Sequence, residues 1–161
     1  MVELQAYLDA DLALTEAMES DSRVMRHLGG RSAPEAIVDA HRRRLADPWW
    51  FKIVAEPAGP GVGTIGVWET THHDASVWET GWMVLPEHQG RGIATMALGL
   101  LIERVKAEPR FDSLHAFPGV DNPASNALCR RFGFELLEQE SFEFRGHTLH
   151  CNHWRLETPA D

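Results

Sequence analysis

The sequence predicts an α/β fold of the α+β kind, with three layers (helices, sheet, helices) and a mixed, mostly antiparallel sheet of about seven strands. Three observations predict it. Strand-like and helix-like stretches follow in the order strand, helices, three strands, helix, strand, helix, two strands. Only one step, from "WETGWMVL" through a helix to "SLHAF", reads as a parallel crossover, which is right-handed in such folds. The 161 residues are 43% apolar and include six tryptophans, enough for the core of one domain over residues 1–161.

Each element has a local reason. Val2, Leu4 and Ala6 alternate with polar residues and predict a first strand. Asp9 or Asp11 is placed to cap a helix through "LALTEAMES", and a second short helix is predicted through "SRVMRHL", stopping at Gly29-Gly30. "SAPEAIVDAHRRRLA" reads as a helix. Ser32 and Glu35 have capping-box spacing, Pro34 sits in the first turn, and Asp47-Pro48 ends it. "WWFKIVAE", "GTIGVWET" and "SVWETGWMVL" predict an antiparallel meander, with "PAGPG" and "TTHHDA" as its loops and Pro86 as its stop. A helix follows from about Gly92 to Lys106, with Ile93, Ala97, Leu100, Leu101 and Val105 on one side. "NPASNALCRRF" is the next helix, ending before Gly133. "ELLEQESFEF" and "HTLHCNHWRLE" form a final hairpin about Arg145-Gly146, and the tail "TPAD" is expected to fray.

Composition narrows the function. A formal charge of −9 argues against bulk nucleic-acid binding, which needs a basic face, and mildly favours a cationic partner such as an amine. No stretch approaches the roughly 18 apolar residues of a membrane span. "MVELQAYLDAD" lacks a basic-then-apolar export pattern, so the cytoplasm is the expected location. Cys129 and Cys151 are too few for a disulfide framework. In the last strand His147, Cys151 and His153 share a face while His150 points away. That alternating spacing matches zinc motifs poorly, so no metal is expected. His72-His73-Asp74 reads as a solvated loop, and Arg42-Arg43-Arg44 as a solvated helix face.

The stretch "LPEHQGRGIATMA", Leu85 to Ala97, carries the chemistry. It lacks the GxxxxGK[ST] of a Walker A loop and the third glycine of a dinucleotide fingerprint. It does match Q-x-x-G-x-A through Gln89, Gly92 and Ala94. The first N–H groups of a helix have no intrahelical partner and sit at the positive end of its dipole. Glycines let a phosphate approach that backbone, and Arg91 adds a positive charge. The alternative is a glycine corner that only turns the chain.

The pattern of strand, P-E-H-Q-G-R-G-I-A and helix resembles the acetyl-CoA signature of the GNAT superfamily of N-acetyltransferases. "NPASNALCRRFGFE" is similar to that superfamily's N-x-x-S-x-x-L-x-x-x-x-G-F segment, through Asn122, Ser125, Leu128, Gly133 and Phe134. The two motifs come in the family's order, and the element order matches almost the whole chain. The resemblance implies an acetyl-CoA-dependent transfer to a primary amine by direct attack in a ternary complex, with acetyl-CoA as cosubstrate and no metal. It implies a pyrophosphate cradle at Gln89, Gly90, Arg91, Gly92, Ile93, Ala94 and Thr95. It also implies a pantetheine arm added like a strand along Met83 and Val84, where the fourth and fifth strands splay. Asn122 matches the asparagine that contacts this arm, with Ser125 one turn on; helix capping by Asn122 is compatible with that role.

An amine is mostly protonated at neutral pH, so a general base helps, and a backbone N–H near Val84 would meet the oxyanion. Glu79, on the central strand, is the first candidate base and His115, on the next strand, the second. The chain departs from the family at Cys129, where many members carry a tyrosine general acid. Cys129 is either a proton donor to the leaving thiolate or a small buried residue. The expected partner is a small-molecule or peptide amine, with no nucleic acid and no membrane and with a homodimer left open. The missing tyrosine keeps open a module that binds acyl-CoA or a protein without catalysis. The five tryptophans Trp49, Trp50, Trp68, Trp78 and Trp82 are expected in the core more than around the acceptor.

Overall fold

The structure, a computed structural model, describes residues 1–159; Ala160 and Asp161, the end of the "TPAD" tail, lie outside the described residues. The strands are β1 (Glu3–Ala6), β2 (Trp50–Val54), β3 (Gly61–His72), β4 (Ala75–Val84), β5 (Ser113–Ala116), β6 (Glu135–Phe144) and β7 (His147–Glu157). The helices are α1 (Leu12–Glu19), α2 (Pro34–Ala46), α3 (Ile93–Lys106) and α4 (Pro123–Arg131). The sheet has seven strands in the order β1-β2-β3-β4-β5-β7-β6. β1 with β2, β2 with β3, β5 with β7 and β6 with β7 pair antiparallel, and β4 with β5 parallel, meeting at Glu79↔His115. The chain forms two compact units. One comprises Met1–Arg26, Gly30–Gly66 and Trp82–Leu101; the other comprises His27–Gly29, Val67–Gly81 and the described residues from Ile102 on.

Four local expectations change. The segment "SRVMRHL" forms only a 3-10 turn, Arg26–Leu28, with Gly29 and Gly30 at positive φ. α2 has no capping box: its N-cap is Ala33, and the Ser32 hydroxyl instead donates to Glu19 Oε2 at 2.5 Å. "TTHHDA" is not a loop. β3 continues to His72, and His73 and Asp74, at φ 48° and 64°, make a two-residue hairpin turn. Histidine and aspartate tolerate that left-handed conformation better than most residues, but the familiar glycine signal is missing.

The fourth change concerns the arginine run. Arg42 and Arg43 are exposed, but Arg44 is buried and its Nη2 lies 3.1 Å from Glu19 Oε1, itself buried. The Arg44 guanidinium also sits over the rings of Tyr7 and Trp50, at 5.9 and 5.5 Å from their centroids. Next to it, Tyr7 Oη, Thr15 Oγ1 and His41 Nδ1 form a buried chain of hydrogen bonds. In the first unit, therefore, Tyr7, Leu14 and Met18 form an apolar cluster beside a buried ion pair. Removing one partner strands the other charge, so Glu19→Ala should cost about 3–5 kcal/mol in urea unfolding. A change under 0.5 kcal/mol would show the pair to be dispensable.

In the second unit Trp78 packs on Phe111 and its Nε1–H donates to the Arg110 carbonyl. The five tryptophans expected in the core are all half-buried; Trp154 is the fully buried one. Among the described residues no helix is long and apolar enough to cross a membrane.

Candidate active site

β4 runs without interruption from the hairpin turn to Val84, then gives way to a 3-10 turn, Pro86–His88, and the glycine turn. Proline at the first position of that turn stops the ladder. Gly90 and Gly92 take φ of 74° and 75°, the left-handed region that disfavours any side chain. A Cβ at either would meet no atom within 4 Å, so the backbone there faces open space. Gln89, Gly90, Arg91 and Gly92 are exposed, whereas Ile93 is buried and anchors the helix start. Gln89 Nε2 donates to the Val84 carbonyl at 2.9 Å and ties the turn to the strand. The first repeating bond of α3 runs from Met96 N–H to the Gly92 carbonyl. The amides of Ile93, Ala94 and Thr95 therefore have no partner within the helix.

The end of β4 is shaped by a glycine that sequence reading passed over. A Cβ at Gly63 would fall 2.2 Å from the Met83 carbonyl oxygen, so β3 passes too close for any side chain there. Leu85 N–H donates to the Val62 carbonyl. Successive amides of an extended strand point to opposite sides, which directs the Val84 N–H away from β3. Glu79, Gly81 and Met83 alternate onto one face of β4, and Glu79 precedes Met83 by about 13 Å of strand.

Glu79 is half-buried. Burial pushes its carboxyl up to about 7, against a hydrogen bond from Trp68 that pulls the other way. A carboxyl poised there can take a proton near neutral pH. His115 is engaged differently: its Nδ1 lies 2.7 Å from His153 Nε2 and its Nε2 3.3 Å from Ser113 Oγ. Burial, with His153, Arg155 and His72 nearby, pushes His115 down to about 4. It is a neutral ring with both nitrogens occupied. Cys129 is fully buried, and burial pushes its thiol up to about 12.

Asn122 is the N-cap of α4; its Oδ1 accepts from Ser125 N–H at 3.2 Å. The residue that organises this corner is one the sequence did not flag. Buried Asn126 donates from Nδ2 to the Gly119 and Asn122 carbonyls, and its Oδ1 accepts from Asn152 Nδ2 and Trp154 Nε1, both at 2.8 Å. All four of its hydrogen-bonding positions are used. The available signal was an asparagine inside a helix, where a propensity penalty asks for a reason.

A family model described as an acetyltransferase (GNAT) domain matches residues 2–135. The chain belongs to the GNAT acetyltransferase family. This GNAT domain is similar in fold to a GNAT-family acetyltransferase from Bacillus anthracis, with TM-score 0.81, 15% identity, and coverage of 98% of this chain and 95% of that one. It is similar to a spermidine N-acetyltransferase from Vibrio cholerae solved with CoA and spermine, with TM-score 0.77, 15% identity, and 98% and 95% covered. It is also similar to a GNAT-superfamily phosphinothricin acetyltransferase from Sinorhizobium meliloti solved with acetyl-CoA, with TM-score 0.77, 22% identity, and 98% and 89% covered. The expected family and fold therefore hold, including the parallel β4–β5 step.

Proposed function

We propose that residues 1–161 act as one acetyltransferase domain that moves an acetyl group from acetyl-CoA to a primary amine by direct attack. The observation that carries this reading is the turn: two left-handed glycines with open space above them, at the unpartnered amides of a helix start. The pyrophosphate would rest on the amides from Gly90 to Thr95, with Gln89 holding the turn and Arg91 adding charge. The pantetheine arm would pair along Met83 and Val84, and the resemblance assigns Asn122 and Ser125 to the same arm. The Val84 N–H would then face the thioester carbonyl as it gains negative charge.

Glu79 serves as the general base, directly or through a water. His115 has no free nitrogen for that task. Of the two roles open to Cys129, core packing is favoured. A thiol held near 12 cannot readily protonate a thiolate of ordinary pKa near ~8.5. The leaving CoA thiolate would then take its proton from the protonated nitrogen of the tetrahedral intermediate, as that collapses to the amide, or from solvent. Cys129→Ala is expected to keep kcat within about threefold while losing stability to the cavity; a loss of 100-fold in kcat with the fold intact would restore the acid role.

The acceptor is a cationic amine in keeping with the net charge of −9. Release of free thiol from acetyl-CoA, followed against a panel of polyamines, amino acids and peptides, tests the reading. CoA binding without turnover on any amine would instead support a non-catalytic acyl-CoA-binding module.

A further inference from the structure

One side-chain cluster in the second unit is not used by the transfer chemistry proposed above. His72, Glu138, Glu140 and His153 each present a ligand atom, and these atoms all lie within 4.8 Å of one another. Strand register builds it. β6 and β7 pair Glu138↔His153 and Glu140↔Cys151, which puts Glu138, Glu140 and His153 on one face. His72, the last residue of β3, reaches the same spot, with Nε2 at 2.7 and 2.8 Å from the two Glu140 oxygens. Exposed His73 adds a further nitrogen, 3.1 Å from Glu140 Oε1.

His153 is the decisive member. It is 3% exposed, and its Nδ1 lies 3.1 Å from Glu140 Oε2 yet out of hydrogen-bond alignment, a buried nitrogen without a hydrogen-bond partner. Its other nitrogen is engaged with His115. Two tautomer assignments satisfy the chain, and in one of them His115 Nε2–H donates to Ser113 Oγ and His153 Nε2–H donates to His115 Nδ1. With that assignment the Nδ1 lone pair of His153, buried and without a hydrogen-bond partner beside a carboxylate oxygen, is open to a cation. Donating the other ring N–H to a neighbour is also how metal-bound histidines are held.

We propose that His72, Glu138, Glu140 and His153 bind a first-row divalent transition metal of the zinc class, as a structural clip outside the transfer chemistry. Two imidazoles and two carboxylates suit zinc and its neighbours and do not suit calcium or magnesium, which prefer oxygen alone. Ligand atoms on a common tetrahedral zinc, each about 2.1 Å away, stand about 3.4 Å apart, so the cluster needs only small side-chain shifts to close on an ion. Phe117, stacked on His153 at 4.6 Å, walls one side with carbon. The clip joins the end of β3 to the β6–β7 hairpin. The expectation of no metal weighed His147, Cys151 and His153 within one strand. Folding keeps His153 from that set and supplies the rest from β3 and β6.

The test uses the whole protein, freed of metal with a chelator and without acetyl-CoA, so it stands or falls apart from the acetyltransferase reading. Calorimetry with zinc chloride and visible absorption with cobalt(II) should report one site per chain, and zinc should raise the unfolding midpoint. His72→Ala and Glu140→Gln should each weaken binding at least tenfold while the metal-free midpoint shows both variants folded. A crystal grown with zinc should give an anomalous peak among the four side chains, which decides the matter if a variant does not fold. No binding up to millimolar metal, binding unchanged in both variants, or a peak only elsewhere would overturn the proposal.

Discussion

Glu79→Gln is expected to lower kcat by about 10²–10⁴-fold, the range that a positioned general base contributes, with the Kd for acetyl-CoA nearly unchanged. The substitution keeps size and one acceptor but removes the basic form. The pH profile supplies the second readout. Burial raises the Glu79 carboxyl to about 7, so the base is available above that value. The wild-type kcat should climb with pH and level off above about 7, and the variant should lose that climb. Stability runs the opposite way. The folded protein holds the Glu79 proton to higher pH than the unfolded chain, whose carboxyl titrates near 4.5. The contribution to stability is full below 4.5 and is lost as pH rises through about 7. Glu79→Gln should flatten that part of the stability curve. A variant with wild-type kcat and an unchanged profile would remove Glu79 from the mechanism.

Gly92→Asp should abolish measurable acetyl-CoA binding, a loss of at least about 100-fold by calorimetry, because it sets a carboxylate at a helix start meant for an anion. The φ of 75° adds a backbone penalty of about 1–2 kcal/mol to folding. Since no atom lies within 4 Å of a Cβ at this position, the fold has room for the side chain. Circular dichroism should therefore stay close to wild type while binding is lost. Gly92→Ala, with the same φ strain and no charge, separates the two effects: its loss should be smaller. Wild-type affinity in Gly92→Asp would remove the turn from the acetyl-CoA site.

The glycine turn was legible because its physics is local. Pro86, Gly90, Gly92 and a helix pattern within a few residues state a strand end, two left-handed positions and an unpartnered helix start. The capping of α2 was not legible, because Ser32 had a competitor far along the chain: Glu19, whose carboxylate also holds Arg44. The arginine run misled for the same reason. Helix periodicity assigns faces, but which face is buried depends on what packs there.

The sequence by itself determined the element order, the single parallel step, the turn with its likeness to acetyl-CoA signatures, and Glu79 as the candidate base. These follow from neighbours in the chain, where periodicity and turn chemistry act. Only the tertiary structure decided that Glu79 is buried enough to titrate near neutrality, that both His115 nitrogens are occupied and that Cys129 is locked away as a thiol. It alone brought His72 to Glu140 and His153. Protonation states and ligand clusters depend on desolvation and on strand register, and both arise from residues far apart in the chain.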